Sequence, residues 1–179
     1  LFGDGAGAAV YAPDGSGTAL AELVNARINA YADEKDSLYI NGSNGGSDVE
    51  GYYFADRMAE STMRSTIHMN GPEVYKFATR VLGEELRDCC AEAGVQVEDV
   101  AWFVPHQANI RIIETAAKKM KLPMERFFVN IYNLGNTSAA STIIALDELY
   151  RSGKIEKGDL VALAAFGGGM TSGSMLLRF

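Results

Sequence analysis

Chemistry that needs an imidazole or a thiol has few places to happen in this chain of 179 residues, which carries two histidines and two cysteines. His106 follows an apolar stretch in Val104-Pro105-His106-Gln107-Ala108-Asn109, Asn136 lies in Leu134-Gly135-Asn136-Thr137-Ser138, and Gly167-Gly168-Gly169 follows a second apolar stretch. A neutral imidazole and a carboxamide can both donate hydrogen bonds to one oxygen, and glycines leave backbone N–H groups accessible. Together the three segments suit stabilisation of a developing oxyanion. Singly, each has a plainer explanation. His106 can be a satisfied core or capping histidine, Asn136-Thr137-Ser138 a helix cap, and the three glycines a hairpin turn before Ser174-Met175-Leu176-Leu177-Arg178-Phe179. Cys89 and Cys90 are adjacent, so they cannot form a spaced disulfide framework, and a reducing compartment is expected. Neither has a neighbouring histidine or a helix N-terminus to make a thiolate, so both read as packing residues. No Cys/His cluster at ligand spacing accompanies His68 or His106, so no metal and no cofactor are expected.

The elements that would bring these segments together follow from periodicity. Pro72 suits a first helical position, and Val74, Phe77, Ala78, Val81, Leu82, Cys89 and Ala93 recur at helical spacing up to a stop at Gly94. Beyond it the pattern alternates: strand 100–104, helix 107–120, strand 127–131, helix 138–151, strand 160–166. This βαβαβ order predicts parallel strands, and the three segments named above fall just past strand carboxyl ends, where open α/β sheets bind ligands. A helix starting at Gln107 would also disfavour a positive charge on His106. On that helix Ile110, Ile113, Ala117 and Met120 are expected to share the apolar face, with Arg111 and Lys118 projecting together and Lys119 and Lys121 nearby.

Residues 1–70 are less regular. Gly3-Asp4-Gly5-Ala6-Gly7 lacks the preceding strand and following helix of a dinucleotide fingerprint, and reads better as close backbone packing in a buried strand continuing through 8–11 to a turn at Pro13-Asp14-Gly15. Val24-Asn25-Ala26-Arg27-Ile28-Asn29 fits either a helix or a strand, with the alternation favouring strand. Residues 42–48 read as a loop, and the polar stretch to Ser65 as a surface excursion.

Composition narrows the class. With 47% hydrophobic and 22% charged residues, the chain is expected to be a soluble domain with a sizeable core. No apolar run approaches the ~20 residues of a membrane span, and no secretory leader is expected, so a cytoplasmic location is anticipated. A net charge of -7 argues against a broad nucleic-acid surface.

Taken together, Val104-Pro105-His106-Gln107-Ala108-Asn109-Ile110-Arg111-Ile112, Gly135-Asn136-Thr137-Ser138-Ala139-Ala140-Ser141 and Phe166-Gly167-Gly168-Gly169 resemble the His, Asn and terminal glycine motifs of the β-ketoacyl-acyl-carrier-protein synthase III family. Residues 1–9 and Met69-Asn70-Gly71 resemble further segments of it, in the same order; residues 18–65 show little likeness. The resemblance implies an α/β, thiolase-like fold: a mixed sheet with packed helices, with residues 71–179 as the C-terminal half and 1–70 as the end of the N-terminal half plus a connecting excursion. It implies initiation of fatty acid synthesis by decarboxylative Claisen condensation of an acyl-CoA with malonyl-acyl carrier protein. His106 and Asn136 would be catalytic, and the Gly168 N–H would serve the oxyanion hole. Gly71, Ala108 and Asn109 would line the pantetheine arm, with Arg111, Lys118 and Lys119 on the carrier-protein side, and Met69 and Phe166 would border the acyl pocket. The family's nucleophilic cysteine precedes the Gly-Asp-Gly-Ala-Gly segment, so it is expected in a missing N-terminal half, and the fragment alone is expected to be inactive in condensation. A homodimer is implied for the full-length enzyme. A polyketide-type or hydroxymethylglutaryl-CoA synthase-like acyltransferase shares the fold, and a non-catalytic module that only binds carrier protein is the remaining alternative.

Overall fold

The structure is a computed structural model that describes residues 2–13, 19–33, 35, 37–40 and 67–179. The turn residues Asp14 and Gly15, the loop at 42–48 and the excursion to Ser65 lie outside the described residues. Strand β1 (Glu22–Ala30) bears out the alternation of that stretch, and a small hairpin pairs β2 (Leu38–Ile40) with β3 (Ile67–Met69) antiparallel.

Helix α1 (Gly71–Glu92) starts where the sequence signals it. Asn70 caps it by accepting the Glu73 N–H, and Pro72 sits in the first turn, where its missing N–H costs nothing. It ends before Gly94, whose φ of 70° is the left-handed conformation that glycine adopts freely. Val74, Ala78, Val81, Leu82, Leu86, Cys89 and Cys90 form its buried stripe.

Next come β4 (Trp102–Pro105), α2 (Ile110–Met120), the short α3 (Ile131–Leu134), α4 (Ser141–Arg151), β5 (Leu160–Gly167) and β6 (Thr171–Arg178). The main sheet runs β1-β6-β5-β4, with β4 and β5 parallel and the other pairs antiparallel, as a mixed sheet requires. Successive residues of a strand point to opposite faces, and both faces are covered here. Phe103, Ala162, Ala164 and Leu176 pack towards α1 and α2, whereas Val104, Val161, Leu163 and Leu177 pack with Ala145 and Leu149 of α4. The result is a helix–sheet–helix sandwich.

Four expectations change. Residues 8–11 are not a strand: the glycine-rich segment runs extended, with a single bridge between Phe2 and Asn136, because no described strand lies alongside it to complete a ladder. Its close packing holds, since a Cβ on Gly3 would lie 2.0 Å from the Leu134 carbonyl oxygen. Residues 127–131 are reduced to one parallel bridge between Phe103 and Phe127, so the βαβαβ pattern yields one full parallel pair. The physical reason is the buried Gln107 side chain, which donates to the Phe128 carbonyl and accepts the Asn130 N–H, taking the place of a neighbouring strand. Helix α2 begins at Ile110 rather than Gln107, capped by the Asn109 side chain. Its buried face is Ile112, Ile113, Ala116, Ala117 and Met120, with Ile110 half-buried. Among the described residues, no helix is long and apolar enough to cross a membrane.

One polar cluster lies inside the α1 layer. The Glu85 carboxylate, 2% exposed, accepts hydroxyl hydrogen bonds from Ser172 and Ser174 of β6 and an amide hydrogen bond from Asn29 of β1. Burial alone would push this carboxyl up, but the hydrogen bonds and the Arg27 charge outweigh it and hold it below the usual carboxylate range.

Candidate functional site

A cleft of about 870 Å³ opens at the carboxyl ends of β4 and β5, walled by the β2–β3 hairpin, the start of α1, the 106–109 segment, the start of α4 and the β5–β6 turn. Such a volume suits a small-molecule arm. His106, Asn136 and Gly168 all line it, as do Met69, Gly71, Ala108, Asn109 and Phe166. The tertiary structure therefore gathers residues that are up to a hundred positions apart in sequence.

His106 is fixed at its backbone and at one ring nitrogen. Its N–H donates to the Ala164 carbonyl at 2.8 Å, prolonging the β4–β5 ladder by one bond. Its Nδ1 lies 2.6 Å from Ser141 Oγ, and the Phe166 ring meets the imidazole edge-on with centroids 5.3 Å apart. Burial pulls the imidazole pKa down to about 4, so the ring is neutral at pH 7. Burial is the cause of that neutrality; the helix dipole expected from the sequence starts three residues later, at Ile110.

Asn136 is held on its acceptor side. Its Oδ1 accepts the Ser138 N–H at 2.9 Å, and its carbonyl accepts the Gly3 N–H at 3.0 Å. Since an N–H can only donate, the carboxamide orientation is chemically fixed, and Nδ2, which donates to none of the described residues, has its two protons for a ligand. The loop is strained to do this: Ser138 has φ of 53° without being glycine.

The glycine run does form the tight connection between β5 and β6, so the plain hairpin reading holds along with its place in the cleft. The Gly168 carbonyl accepts the Thr171 hydroxyl at 3.1 Å, and a Cβ on Gly168 would lie 2.9 Å from the Leu38 carbonyl oxygen. At Gly71 a Cβ would meet open space, leaving the start of α1 accessible from the cleft. Met69 is 48% exposed at the rim. Asn109 uses its Oδ1 to cap α2.

The basic residues divide. Arg111 and Lys118 are exposed on α2, outside the cleft lining. Lys119 instead donates its Nζ to the Thr79 carbonyl at 3.0 Å, tying α2 to α1. The cysteines are remote from the chemistry: both lie in the core beneath α1, burial pushes the Cys90 thiol up to about 11, and it raises Cys89 as well. The reading as packing residues holds.

Two residues of the site carried no role from sequence. Gln107, 0% exposed, donates to the Pro105 and Phe128 carbonyls and so shapes the chain on both sides of His106. Ser141 touches His106 itself. A buried position for an amide among strand-end residues has no periodic signal, whereas Ser141 was visible as the last residue of the Asn136 motif.

The sequence profile of the family described as 3-Oxoacyl-[acyl-carrier-protein (ACP)] synthase III C terminal matches residues 90–179. The β-ketoacyl-[acyl-carrier-protein] synthase III of Clostridium acetobutylicum is 39% identical over 180 residues, spanning 100% of this chain and 52% of the relative. That of Methylococcus capsulatus is 42% identical over 179 residues, again 100% of this chain and 51% of the relative. The chain thus spans about half the length of the curated relatives it matches. Among solved structures, the 3-oxoacyl-[acyl-carrier-protein] synthase III of Aquifex aeolicus superposes with a TM-score of 0.72 at 37% identity, over 90% of this chain and 46% of that one. The priming β-ketosynthase of the R1128 polyketide pathway gives 0.71 at 29% identity, over 86% of this chain and 44% of that one. These likenesses agree with the thiolase-like mixed sheet described above, and the chain belongs to the 3-oxoacyl-[acyl-carrier-protein] synthase III family through its C-terminal domain.

Proposed function

We propose that this chain supplies the decarboxylation site of a 3-oxoacyl-acyl-carrier-protein synthase III, an acyltransferase that starts fatty acid synthesis. The observation that carries the reading is the pairing in one cleft of a neutral imidazole and a carboxamide whose acceptor oxygen is already occupied. Both can donate to the thioester oxygen of a malonyl group. As the bond between the malonyl α-carbon and its carboxylate breaks, carbon dioxide leaves and its bonding electrons spread onto that oxygen as an enolate. Fixed donors aimed at the oxygen favour this charge more than they favour the ground state. The carbanion then attacks the carbonyl carbon of an acyl-cysteine, and the cysteine thiolate departs. Gly168 offers its N–H to that carbonyl. Gly71, Ala108 and Asn109 border the pantetheine arm, Met69 and Phe166 border the acyl group, and acyl-CoA and malonyl-acyl carrier protein are the substrates. The cysteine belongs to a partner half of the fold, and the complete enzyme is a cytoplasmic homodimer.

The test is carbon dioxide release from malonyl-acyl carrier protein by the chain combined with the cysteine-bearing half of a relative. His106→Ala and Asn136→Ala should each lower it by roughly 10²- to 10³-fold, the usual cost of one oxyanion donor, while cysteine acylation survives better. Release at the parent rate in both variants would show that the site is misassigned. Comparing malonyl-CoA with malonyl-carrier protein in the same assay separates this enzyme from a polyketide-type relative.

A further inference from the structure

Ser141 opens α4 directly behind the imidazole and is 2% exposed. Its Oγ has two neighbours within hydrogen-bonding reach: the Gln107 N–H at 3.3 Å and His106 Nδ1 at 2.6 Å. The first can only donate, so Oγ must accept there. The Gln107 side chain is pinned in turn by the Pro105 and Phe128 carbonyls and by the Asn130 N–H, which holds this stretch of backbone in place.

Two arrangements remain for the second contact. If Nδ1 carried the imidazole proton, Oγ would accept two N–H groups, and its own proton would be buried without an acceptor. Among the described residues, no other hydrogen bond takes the Ser141 hydroxyl proton. Buried donors left unmade are costly and rare. In the other arrangement the hydroxyl donates to Nδ1, every group is satisfied, and the single proton of the neutral ring sits on Nε2. Burial keeps the ring neutral, so it carries one proton and one of its two nitrogens is free to accept.

We propose that Ser141 is a positioning residue whose hydroxyl holds His106 in the Nε2–H tautomer, so that the imidazole meets its ligand as a hydrogen-bond donor and not as a base. The proposal deepens the reading of His106 as an oxyanion donor and rests on it for its functional meaning, but the tautomer is a property of the chain alone. The Gln107 N–H also ties the β4 end to Ser141, whose own N–H donates to the carbonyl of Ser138, the residue whose N–H holds the Asn136 carboxamide, so the imidazole and the Asn136 loop are set by one connected network.

The experiment is two-dimensional ¹H–¹⁵N spectroscopy of the imidazoles in the ¹⁵N-labelled chain at neutral pH, with His106 signals identified by their loss in His106→Gln. The parent should show a proton-free Nδ1 and a protonated Nε2. Ser141→Ala should lose this pattern and shift towards averaged or Nδ1-protonated signals, while Ser141→Thr, which keeps the hydroxyl, retains it. An Nδ1-protonated His106 in the parent would overturn the proposal, as would an unchanged pattern in Ser141→Ala with native circular dichroism. If Ser141→Ala fails to fold, Ser141→Cys replaces it, and its weaker donor should give an averaged pattern; the parent pattern there would count against the hydroxyl. An Nε2–H ring in a protein whose carbon dioxide release ignores His106→Ala would leave the Ser141 assignment standing and remove the decarboxylation reading.

Discussion

His106 shows how far burial governs the chemistry of one side chain. Its folded pKa lies near 4 against an ordinary value of 6.5, so between those values the unfolded chain binds more protons than the folded one. The stability contributed by the neutral ring is therefore complete above about pH 6.5 and is lost as pH falls towards 4. Glu85 acts lower on the scale: its folded pKa is depressed below 4.5, so its contribution fades only as pH falls below that value. Urea denaturation of the chain at pH 7 and at about pH 5 should show a drop in midpoint that His106→Gln largely removes. Equal drops in both proteins would mean that the ring is not held neutral by the fold. Asn136 complements this behaviour, because it donates without titrating and its carboxamide is oriented by the Ser138 N–H, with its backbone carbonyl tied to the Gly3 N–H.

At the level of elements, α2 has three jobs that its sequence distributes around its circumference. Ile112, Ile113, Ala116, Ala117 and Met120 pack into the core, Lys119 reaches back to α1, and Arg111 and Lys118 are left for solvent. In a chain of net charge -7, an acidic partner needs such a local patch to approach. Reversing Arg111 and Lys118 to Glu should slow association with an acidic carrier protein by roughly tenfold or more at low salt, with a flatter salt dependence. Reaction with short CoA thioesters should change less. Surface plasmon resonance across a salt series measures the first effect, and equal losses with both substrates would place these residues elsewhere than in docking. Replacing Lys119 should instead loosen the α1–α2 contact, since its ammonium is committed to the Thr79 carbonyl.

For the whole molecule, the decisive feature is that the cleft and the thiols lie apart. Cys89 and Cys90 are the only cysteines, both are in the core, and burial raises both pKa values, so neither can supply a thiolate to the cleft. The chain alone should not condense acetyl-CoA with malonyl-carrier protein, because holding the acyl group beside the carbanion is where much of the rate arises. Mixing it with a cysteine-bearing N-terminal half should restore product, detected by mass spectrometry; condensation by the chain alone, lost in Cys89→Ala, would refute the arrangement. The sequence by itself determined the long α1 with its Pro72 and Gly94 signals, the β4 and β5 strands, and His106 and Asn136 as the polar pair, and it favoured strand over helix for β1, since helix ends, periodicity and strand-end motifs are local. Tertiary structure decided the rest. Residues 127–131 have strand-like composition but lose their ladder to the Gln107 side chain, and residues 8–11 find no described partner strand, because pairing depends on what lies alongside and not on the residues themselves. Likewise Ser141 gained its place on the imidazole only through the packing of α4 against the end of β4, a contact between residues 35 positions apart that no local pattern encodes.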